Sequence, residues 1–252
     1  MASPRTRLDV LLVARGLAES RTRAEALVLA GRVRVKGVER PKPGTSVPPD
    51  AEVTVDSPEH PWVSRGGVKL AAGLDAFGVD PAGKTCLDVG ASTGGFTDVL
   101  LARGAARVYA VDVGHGQLHA RLRSDPRVLL REGVNARLLT REAVPEPCAL
   151  LVADVSFISL RLVLPAAVPL LSPGAEAVVL VKPQFESERG EVGRGGIVRD
   201  PAVRERALAR VIAAAESFGL SHRGTVESPI TGADGNVEYL AAFRAGEGRP
   251  SG

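Results

Sequence analysis

The chain has 252 residues, of which 44% are hydrophobic, so it can form a medium-sized domain with a packed core and a second, smaller domain. No apolar run approaches the roughly 18 residues of a membrane-spanning helix, and the N-terminus lacks a signal-peptide pattern, which together predict a soluble, cytoplasmic protein. Cys86 and Cys148 match no metal-ligand spacing, so neither a metal site nor a disulfide is expected.

The net charge of +3 is unevenly distributed along the chain. Residues 1–42 contain ten Lys or Arg and four Asp or Glu, a balance of +6, which leaves −3 for the other 210 residues. A basic segment attached to a nearly neutral body favours docking onto nucleic acid, although an ordinary solvated surface would carry the same charge. The charge alone leaves both interpretations open.

The first elements along the chain predict a small α+β domain. Residues 8–15 have the pattern of a short amphipathic helix ended by Gly16, and Ser20 caps a second helix over 21–30. Short β pieces follow at 33–35 and 52–55, separated by a proline-rich stretch that cannot be helical. We predict an N-terminal domain over 1–58, a linker over 59–64, a second domain over 65–245 and a disordered tail over 246–252.

The segment over about residues 5–56 resembles the small RNA-binding module that is named after a ribosomal small-subunit protein. The matching runs are RLD at 7–9, SRTRA at 20–24 and GRVRVKG at 31–37, with Lys42-Pro43 in the following loop. Such modules hold structured RNA through basic side chains on the second helix and the hairpin after it. The resemblance implies an RNA-binding surface, for which the candidates are Arg5, Arg7, Ser20, Arg21, Arg23, Lys36 and Lys42, together with Arg65 at the start of the second domain.

The rest of the chain alternates strands and helices, which predicts a doubly wound α/β fold with a seven-stranded, mostly parallel sheet. The last two strands are joined by a loop without a helix, so we expect them to pair antiparallel and make the sheet mixed. The predicted strands are 85–89, 107–112, 127–130, 149–154, 175–182, 222–227 and 236–243, and the predicted helices are 66–77, 95–103, 117–123, 160–170 and 201–218.

The segment from Cys86 to Asp112 predicts a cofactor site. A strand ends in Asp88-Val89-Gly90, a glycine loop leads into a helix, and the next strand ends in Asp112, 22 residues after Gly90. An acid at that distance suits a ribose hydroxyl pair. The loop reads GASTGG, without the middle glycine that a dinucleotide site requires, and Asp88 would repel a pyrophosphate but suits a cationic amino group.

S-adenosylmethionine is therefore the favoured cofactor; a nicotinamide or flavin dinucleotide and a turn without a ligand are the alternatives. The residues predicted to bind the cofactor are Asp88, Gly90, Ser92, Thr93, Gly94, Gly95, Phe96, Thr97, Asp112, Asn135 and Asp154.

Four polar residues flank strands at the edge of the sheet where ligands bind in open α/β folds. Lys69 precedes the first strand, Asp154 ends the fourth, Lys182 ends the fifth and Glu238 enters the last. Each alone is typical of a solvated strand end, but together they suit methylation of a sugar hydroxyl, which is a weak acid and must lose its proton as it attacks.

In that reading Lys182 is the candidate base in its neutral form, Lys69 is the neighbouring cation, and Asp154 and Glu238 are the orienting carboxylates. Two other methyltransferase chemistries fit less well. Exocyclic-amine enzymes carry a proline pair after strand four, where this chain has Asp154-Val155-Ser156-Phe157, and a nucleophilic cysteine should follow that strand, whereas Cys148 precedes it.

These runs also look like those of the TlyA-type ribosomal RNA cytidine 2′-O-methyltransferases, many of which were first called haemolysin A. The matching runs are SRGGVKL at 64–70, the glycine-loop segment at 88–118, DVSFISLRLVLP at 154–165, VKPQFE at 181–186 and SPITGADGNVEYL at 228–240. The resemblance implies a class I, FtsJ-like methyltransferase domain, S-adenosylmethionine as donor, and ribosomal RNA in small or large subunits as substrate. The family's Lys-Asp-Lys-Glu tetrad falls on Lys69, Asp154, Lys182 and Glu238.

Two rival hypotheses remain from other classes of protein. A haemolysin would need a membrane-inserting helix or amphipathic hairpins, and a non-enzymatic RNA-binding protein would need neither the tetrad nor Asp88 and Asp112. Stoichiometric binding of S-adenosylmethionine would separate the enzyme from the second rival.

Overall fold

A computed structural model describes residues 5–18, 20–29, 31–55, 60–188, 190–232 and 234–247, without the side chains of Arg23 and Ala26. The chain divides into two compact units, Met1–Pro61 and Trp62–Gly252, and this division falls within the stretch predicted as a linker. Residue 59 of that linker and the predicted tail from 248 onwards lie outside the described residues.

The described residues of the N-terminal unit form two helices and two small antiparallel sheets. Its core is formed by apolar residues of α1, α2 and the short strands, with Leu8 and Leu12 fully buried. Strands β1 and β3 have two residues each, too few to give a sequence pattern, and were not predicted. The elements are β1 (Thr6–Arg7), α1 (Leu8–Ala14), α2 (Arg21–Leu29), β2 (Val33–Val35), β3 (Ser46–Val47) and β4 (Val53–Val55), in which β1 pairs with β3 and β2 with β4.

The second unit has a seven-stranded sheet with helices on both faces. Alternate residues of a strand point to opposite faces, so Leu87 and Val89 belong to one apolar cluster and Cys86 to the other. The elements are α3 (Gly66–Phe77), β5 (Thr85–Val89), α4 (Gly95–Ala102), β6 (Arg107–Val111), α5 (Ala120–Arg123), β7 (Val128–Arg131), β8 (Cys148–Ala153), α6 (Leu160–Ala167), β9 (Leu171–Val181), α7 (Pro183–Glu186), α8 (Pro201–Ser217), β10 (Leu220–Glu227) and β11 (Tyr239–Ala245).

The strand order is β10-β11-β9-β8-β5-β6-β7. Strands β5 to β9 run parallel, and β11 pairs antiparallel with both β9 and β10, as the missing helix between the last two strands predicted. From β5 the chain proceeds first towards β6 and later towards β8, so the order reverses beside β5. Loops that follow parallel strands on either side of such a reversal leave a crevice between them, which is where ligands bind.

Several predicted boundaries were wrong for local reasons. The helix predicted over 160–170 ends at Ala167 and continues as a short 3-10 turn, because Pro169 has no N–H to continue the α-helix. Strand β9 begins at Leu171 and passes through Pro173-Gly174 before the predicted start at 175, and β11 begins at Tyr239 rather than at 236. The helix predicted over 117–123 is reduced to the single turn of α5.

Candidate active site

A cleft of about 240 Å³ opens at the carboxyl edge of the sheet, beside the point where the strand order reverses. The start of α3, the loop between β5 and α4, and the ends of β8 and β9 enclose it. The predicted residues that line it are Arg65, Lys69, Gly90, Ser92, Thr93, Gly95, Phe96, Asp154 and Lys182, and the sequence analysis missed Ser64, Gly66, Ala91 and Ser156, which also line it.

The four predicted catalytic residues form two lysine–carboxylate ion pairs. The Nζ atom of Lys182 lies 2.6 Å from Oδ1 of Asp154, and that of Lys69 lies 2.5 Å from Oε2 of Glu238. The sequence analysis treated Lys69 as the cation next to Lys182, whereas in the structure each lysine is held by its own carboxylate. The pairing is set by the sheet, because the two members of each pair come from distant parts of the chain.

The Lys182–Asp154 pair faces the cleft. Asp154 follows β8 and Lys182 follows the neighbouring parallel strand β9, so both side chains emerge at the same edge. Lys182 Nζ also donates a hydrogen bond to Oγ of Ser156 at 2.9 Å. Its side chain is 11% exposed, so a nearly buried ammonium is held between two oxygen atoms at the wall of the cleft.

The Lys69–Glu238 pair lies deeper, with side-chain exposures of 10% and 2%. Lys69 is in the first turn of α3, and Glu238 directly precedes β11. Gly232 makes room for this carboxylate, because a Cβ atom at that position would lie 2.5 Å from Oε1 of Glu238. A buried charge needs a partner of opposite sign, so each member of this pair depends on the other.

The glycines of the loop between β5 and α4 allow close packing against neighbouring parts of the chain. Gly90 has a φ of +85°, and a Cβ there would meet the backbone oxygen of Asp154 at 2.4 Å. Gly94 has a φ of +97°, and a Cβ there would contact Leu122 and Leu118 at 2.3 and 2.8 Å. At Gly95 a Cβ would lie 2.3 Å from Oγ of Ser64. The loop can therefore adopt this course only with glycine at these positions.

Asp88 is fully buried beneath the loop and does not line the cleft. Its Oδ2 atom accepts a hydrogen bond from Oγ1 of Thr97 at 2.6 Å, and its Oδ1 atom is buried without a partner among the described residues. Burial raises the pKa of Asp88 to about 7, with the nearby Asp154 carboxylate adding to the effect and the Thr97 hydrogen bond opposing it. An orphaned carboxylate oxygen is a strong candidate to receive a positively charged group.

Asp112, after β6, orders the rim of the loop. Its two carboxylate oxygens accept hydrogen bonds from the backbone N–H groups of Ser92 at 2.8 Å and Gly114 at 2.7 Å. Asn135 is exposed, and its side chain caps the short 3-10 turn over 136–138 by accepting from the Arg137 N–H. Gly94, Thr97, Asp112 and Asn135 were predicted to bind the cofactor but do not line the cleft, so they would act by supporting or bordering it.

Two of the predicted RNA-binding residues of the N-terminal unit, Arg7 and Arg21, meet at Asp9, which has no exposed surface. Its carboxylate accepts hydrogen bonds from Nη2 of Arg7 at 2.7 Å and from Nε of Arg21 at 3.0 Å, and the Arg7 guanidinium holds the pKa of Asp9 well below its usual range. Both arginine side chains remain about half exposed. The side chain of Arg23 lies outside the described residues, although its backbone is in α2.

The other predicted RNA-binding residues lie at the surface or begin an element. Arg5 donates to the Ser46 carbonyl at 2.6 Å, Lys36 pairs with Glu52 at 2.7 Å, and Lys42 is exposed. Ser20 precedes α2, and its carbonyl accepts from the Ala24 N–H. In the second unit, Arg65 lines the cleft and is exposed, with Nη2 3.5 Å from the Thr231 carbonyl.

Comparisons with known proteins assign both parts of the chain. The FtsJ-like methyltransferase family matches residues 62–245, and the S4 domain matches residues 6–53. A 16S/23S rRNA (cytidine-2′-O)-methyltransferase, TlyA of Mycobacterium tuberculosis, is 52% identical over 95% of this chain and 90% of its own length. Hemolysin A of Brachyspira hyodysenteriae is 42% identical over 94% of this chain and 99% of its own length.

Among solved structures, that of a proposed hemolysin from Streptococcus thermophilus superposes with a TM-score of 0.75 at 42% identity, covering 98% of this chain and 90% of the other. Within the part of the chain that the structure describes, no helix has both the length and the apolar character needed to cross a bilayer. The chain belongs to the FtsJ-like methyltransferases and, within them, groups with TlyA, which confirms the class I fold and the family resemblance seen in the sequence.

Proposed function

We propose that this chain transfers a methyl group from S-adenosylmethionine to the 2′-hydroxyl of a cytidine ribose in ribosomal RNA. The observation that carries the proposal is the pair of lysine–carboxylate contacts at the carboxyl edge of the sheet, one of which faces the cleft beside the glycine loop. The printed name of the Mycobacterium tuberculosis relative supports the choice of nucleotide and oxygen atom. Small or large ribosomal subunits, and hence the cytoplasm, are the proposed place of action.

The residues present fit S-adenosylmethionine as the donor. The orphaned Oδ1 of Asp88 suits the cationic amino group of its methionine part. Asp112 suits the ribose, because a carboxylate offers about four acceptor positions and only two are used by the backbone N–H groups of Ser92 and Gly114. When bound, this donor supplies a methyl group on a positively charged sulfur atom, which an oxygen nucleophile can attack.

Lys182 is the proposed base for the substrate hydroxyl. Of the two lysines of the tetrad, Lys182 is the one whose Nζ atom contacts two side chains of the loop after β8. Asp154 and Ser156 therefore fix the position of Nζ at the cleft wall. To accept the proton of the 2′-hydroxyl, Nζ must first be neutral. A rate that rises with pH would report this deprotonation.

Lys69 and Glu238 have a supporting role in this proposal. Their contact is nearly buried, and the Lys69 amine also lines the cleft. A cation at that point can attract the oxygen of the substrate as negative charge develops on it. Glu238 holds the amine in place and compensates its charge.

The N-terminal unit is the proposed docking module, with Arg7 and Arg21 as its central contacts. Two half-exposed guanidinium groups anchored on one buried carboxylate present positive charge at fixed positions. Such groups match phosphate oxygens in charge and geometry.

The proposed function is tested with ribosomal subunits from a strain that lacks the corresponding gene. Purified protein and S-adenosylmethionine labelled in the methyl group should introduce a 2′-O-methyl cytidine, which mass spectrometry of nuclease fragments locates. The matched control is Lys182→Ala. Stoichiometric donor binding without any methylation of either subunit would contradict the proposal, and lysis of red cells by the same preparation would favour the haemolysin alternative.

A further inference from the structure

A buried carboxylate outside the tetrad connects the two loops that carry the cleft-facing ion pair. Glu186 ends the short helix α7, which directly follows Lys182, and it is 2% exposed. Its Oε1 atom accepts a hydrogen bond from the Leu160 N–H at 2.6 Å, and its Oε2 atom accepts from Oγ of Ser159 at 2.5 Å. Ser159 and Leu160 begin α6, the helix that follows the loop containing Asp154 and Ser156.

These contacts join two segments of the chain into a closed ring, and the candidate base, Lys182, is part of it. One side of the ring runs from Asp154 to Ser159 and the other from Lys182 to Glu186. The Lys182–Asp154 ion pair joins the two sides at the cleft, and the Glu186–Ser159 hydrogen bond joins them at the far end. Between these two connections, the rings of Phe157 and Phe185 lie 5.3 Å apart.

The connection at Glu186 is well satisfied for a buried acid. Both carboxylate oxygens accept a hydrogen bond, and Nε of Arg161 lies 3.5 Å from Oε2. Burial raises the pKa of Glu186, and the hydrogen bonds from Ser159 and Leu160 act in the opposite direction. A buried acid fixed at both oxygens is a rigid connection, because moving it would leave polar groups unpaired in the interior.

The opposite side of Asp154 is also fixed. Its backbone N–H donates to the Val89 carbonyl at 3.0 Å, which attaches the beginning of the loop to β5. Among the described residues, Lys182 makes no ionic contact other than that with Asp154. The position of Lys182 Nζ at the cleft wall therefore depends on how the two sides of the ring are held together.

We propose that Glu186 is a positioning residue for methyl transfer, which fixes Lys182 against Asp154 by connecting the two catalytic loops through the N-terminus of α6. This inference rests on the proposed function. Glu186 does not reach the cleft itself, so it acts through Lys182 and not on the substrate.

Glu186→Ala removes the connection and should lower kcat about 10- to 100-fold, because displacement of a catalytic group by about 1 Å has an effect of that order. The KM for ribosomal RNA and the affinity for S-adenosylmethionine should change by less than about twofold. Glu186→Gln keeps the size of the side chain but only one of its two acceptor oxygens, because Oγ of Ser159 already accepts from the N–H and Nε of Arg161, so its kcat should lie between those of Glu186→Ala and the wild type. In a Lys182→Ala background, Glu186→Ala should have no further effect on the residual rate.

A second readout does not depend on activity. Acetylation of lysine amines by a water-soluble reagent, quantified by mass spectrometry of peptides, should modify Lys182 several-fold faster in Glu186→Ala than in the wild type. Lys69, which is held by Glu238, serves as the internal reference and should react at the same rate in both proteins. Ser159→Ala removes one of the two hydrogen bonds to Glu186, together with the side-chain cap of α6, and should change labelling in the same direction by a smaller factor, so the test survives if Glu186→Ala does not fold.

The control is Glu146→Ala, which removes a less buried carboxylate that binds the side chains of Tyr109 and Arg107, ahead of β8 at the other edge of the sheet. It should leave kcat and the labelling of Lys182 unchanged. Unaltered Lys182 labelling together with unaltered kcat in Glu186→Ala would overturn the inference. So would an equal acceleration of Lys69 labelling in that variant, or an equal loss of kcat in Glu146→Ala. Selective exposure of Lys182 in a protein that methylates no ribosomal RNA would support the positioning role while contradicting the proposed function.

Discussion

The two units use the same pairing of basic and acidic side chains in opposite ways. In the N-terminal unit, a single buried acid, Asp9, holds Arg7 and Arg21, whose side chains are 49% and 56% exposed. In the cleft of the second unit, Lys69 and Lys182 are 10% and 11% exposed, and each has its own carboxylate. In the first case the acid is hidden and the cation is presented, and in the second the cation itself is enclosed.

This difference follows from what each cation is proposed to contact. A phosphate oxygen on a large RNA is reached only by a group at the surface, and a planar guanidinium suits it. A hydroxyl proton is transferred within a site from which water is largely excluded, and a lysine amine can change its protonation there. The comparison predicts that substitutions in the N-terminal unit should weaken binding of RNA. Substitutions in the cleft of the second unit should lower methyl transfer and leave binding of RNA unchanged.

The largest expected effect is at the enclosed lysine. Lys182→Ala should lower methyl transfer about 100-fold or more, while binding of S-adenosylmethionine and of ribosomal RNA is retained. Lys182→Arg should be nearly as inactive, because a guanidinium cannot be deprotonated in this pH range. Single-turnover rates measure the effect, with Lys84→Ala as the control, since Lys84 pairs with Glu176 at 2.6 Å away from the cleft. An active Arg variant would show that Lys182 only contributes charge, and that Asp154 or water is the base.

Next in size is Asp112→Ala, which should weaken binding of S-adenosylmethionine about tenfold or more through the loss of about 1.5–3 kcal/mol. Part of this loss comes from the backbone N–H groups of Ser92 and Gly114, which lose their acceptor. Calorimetric titration measures it, and Asp125→Ala, which removes an acid that binds Arg127 only, is the control. Wild-type affinity in the Asp112 variant would place the cofactor elsewhere.

The exposed arginines should affect binding of RNA and, because they pair with the buried Asp9, the stability of the N-terminal unit, but not the cofactor site. Arg7→Ala combined with Arg21→Ala should weaken binding to ribosomal RNA about tenfold and reduce the slope of log K against log salt by about 2, one for each lost phosphate contact. The affinity for S-adenosylmethionine should not change. Arg15→Ala is the matched control, because the Arg15 guanidinium donates hydrogen bonds to the carbonyls of Ala51 and Pro49 within the same unit. An unchanged salt slope in the double variant would remove Arg7 and Arg21 from the interface.

The last prediction concerns stability and its pH dependence instead of binding or activity. Burial raises the pKa of Asp88 from its ordinary value of 3.8 to about 7, so between these values the folded state keeps a proton that the unfolded state releases. Stability should therefore fall as the pH rises through this window, and Asp88→Asn should flatten the dependence. Urea unfolding of both proteins at pH 5 and pH 8 measures the difference. Parallel curves for the two proteins would show that Asp88 does not titrate in this range.

The sequence by itself determined the order and type of most elements. The alternation of apolar strands with helical segments, the glycine loop and the acid at Asp112 are local patterns, and each is fixed by neighbouring residues along the chain. They were sufficient for the class I fold and for the prediction that Lys69, Asp154, Lys182 and Glu238 lie at one edge, whereas the family followed from the resemblance of longer sequence runs. The catalytic and binding roles of those residues stay predictions.

Only the tertiary structure decided how these residues are paired. Lys182 and Asp154 come together because β8 and β9 are parallel neighbours, and Lys69 meets Glu238 because α3 packs near the start of β11. The sequence carries no signal for such contacts, since partners such as Lys69 and Glu238 are separated by 169 residues. For the same reason the buried acids Asp9 and Glu186 looked like ordinary polar residues along the chain, and their functions as anchors became visible only where burial left each of them with specific partners.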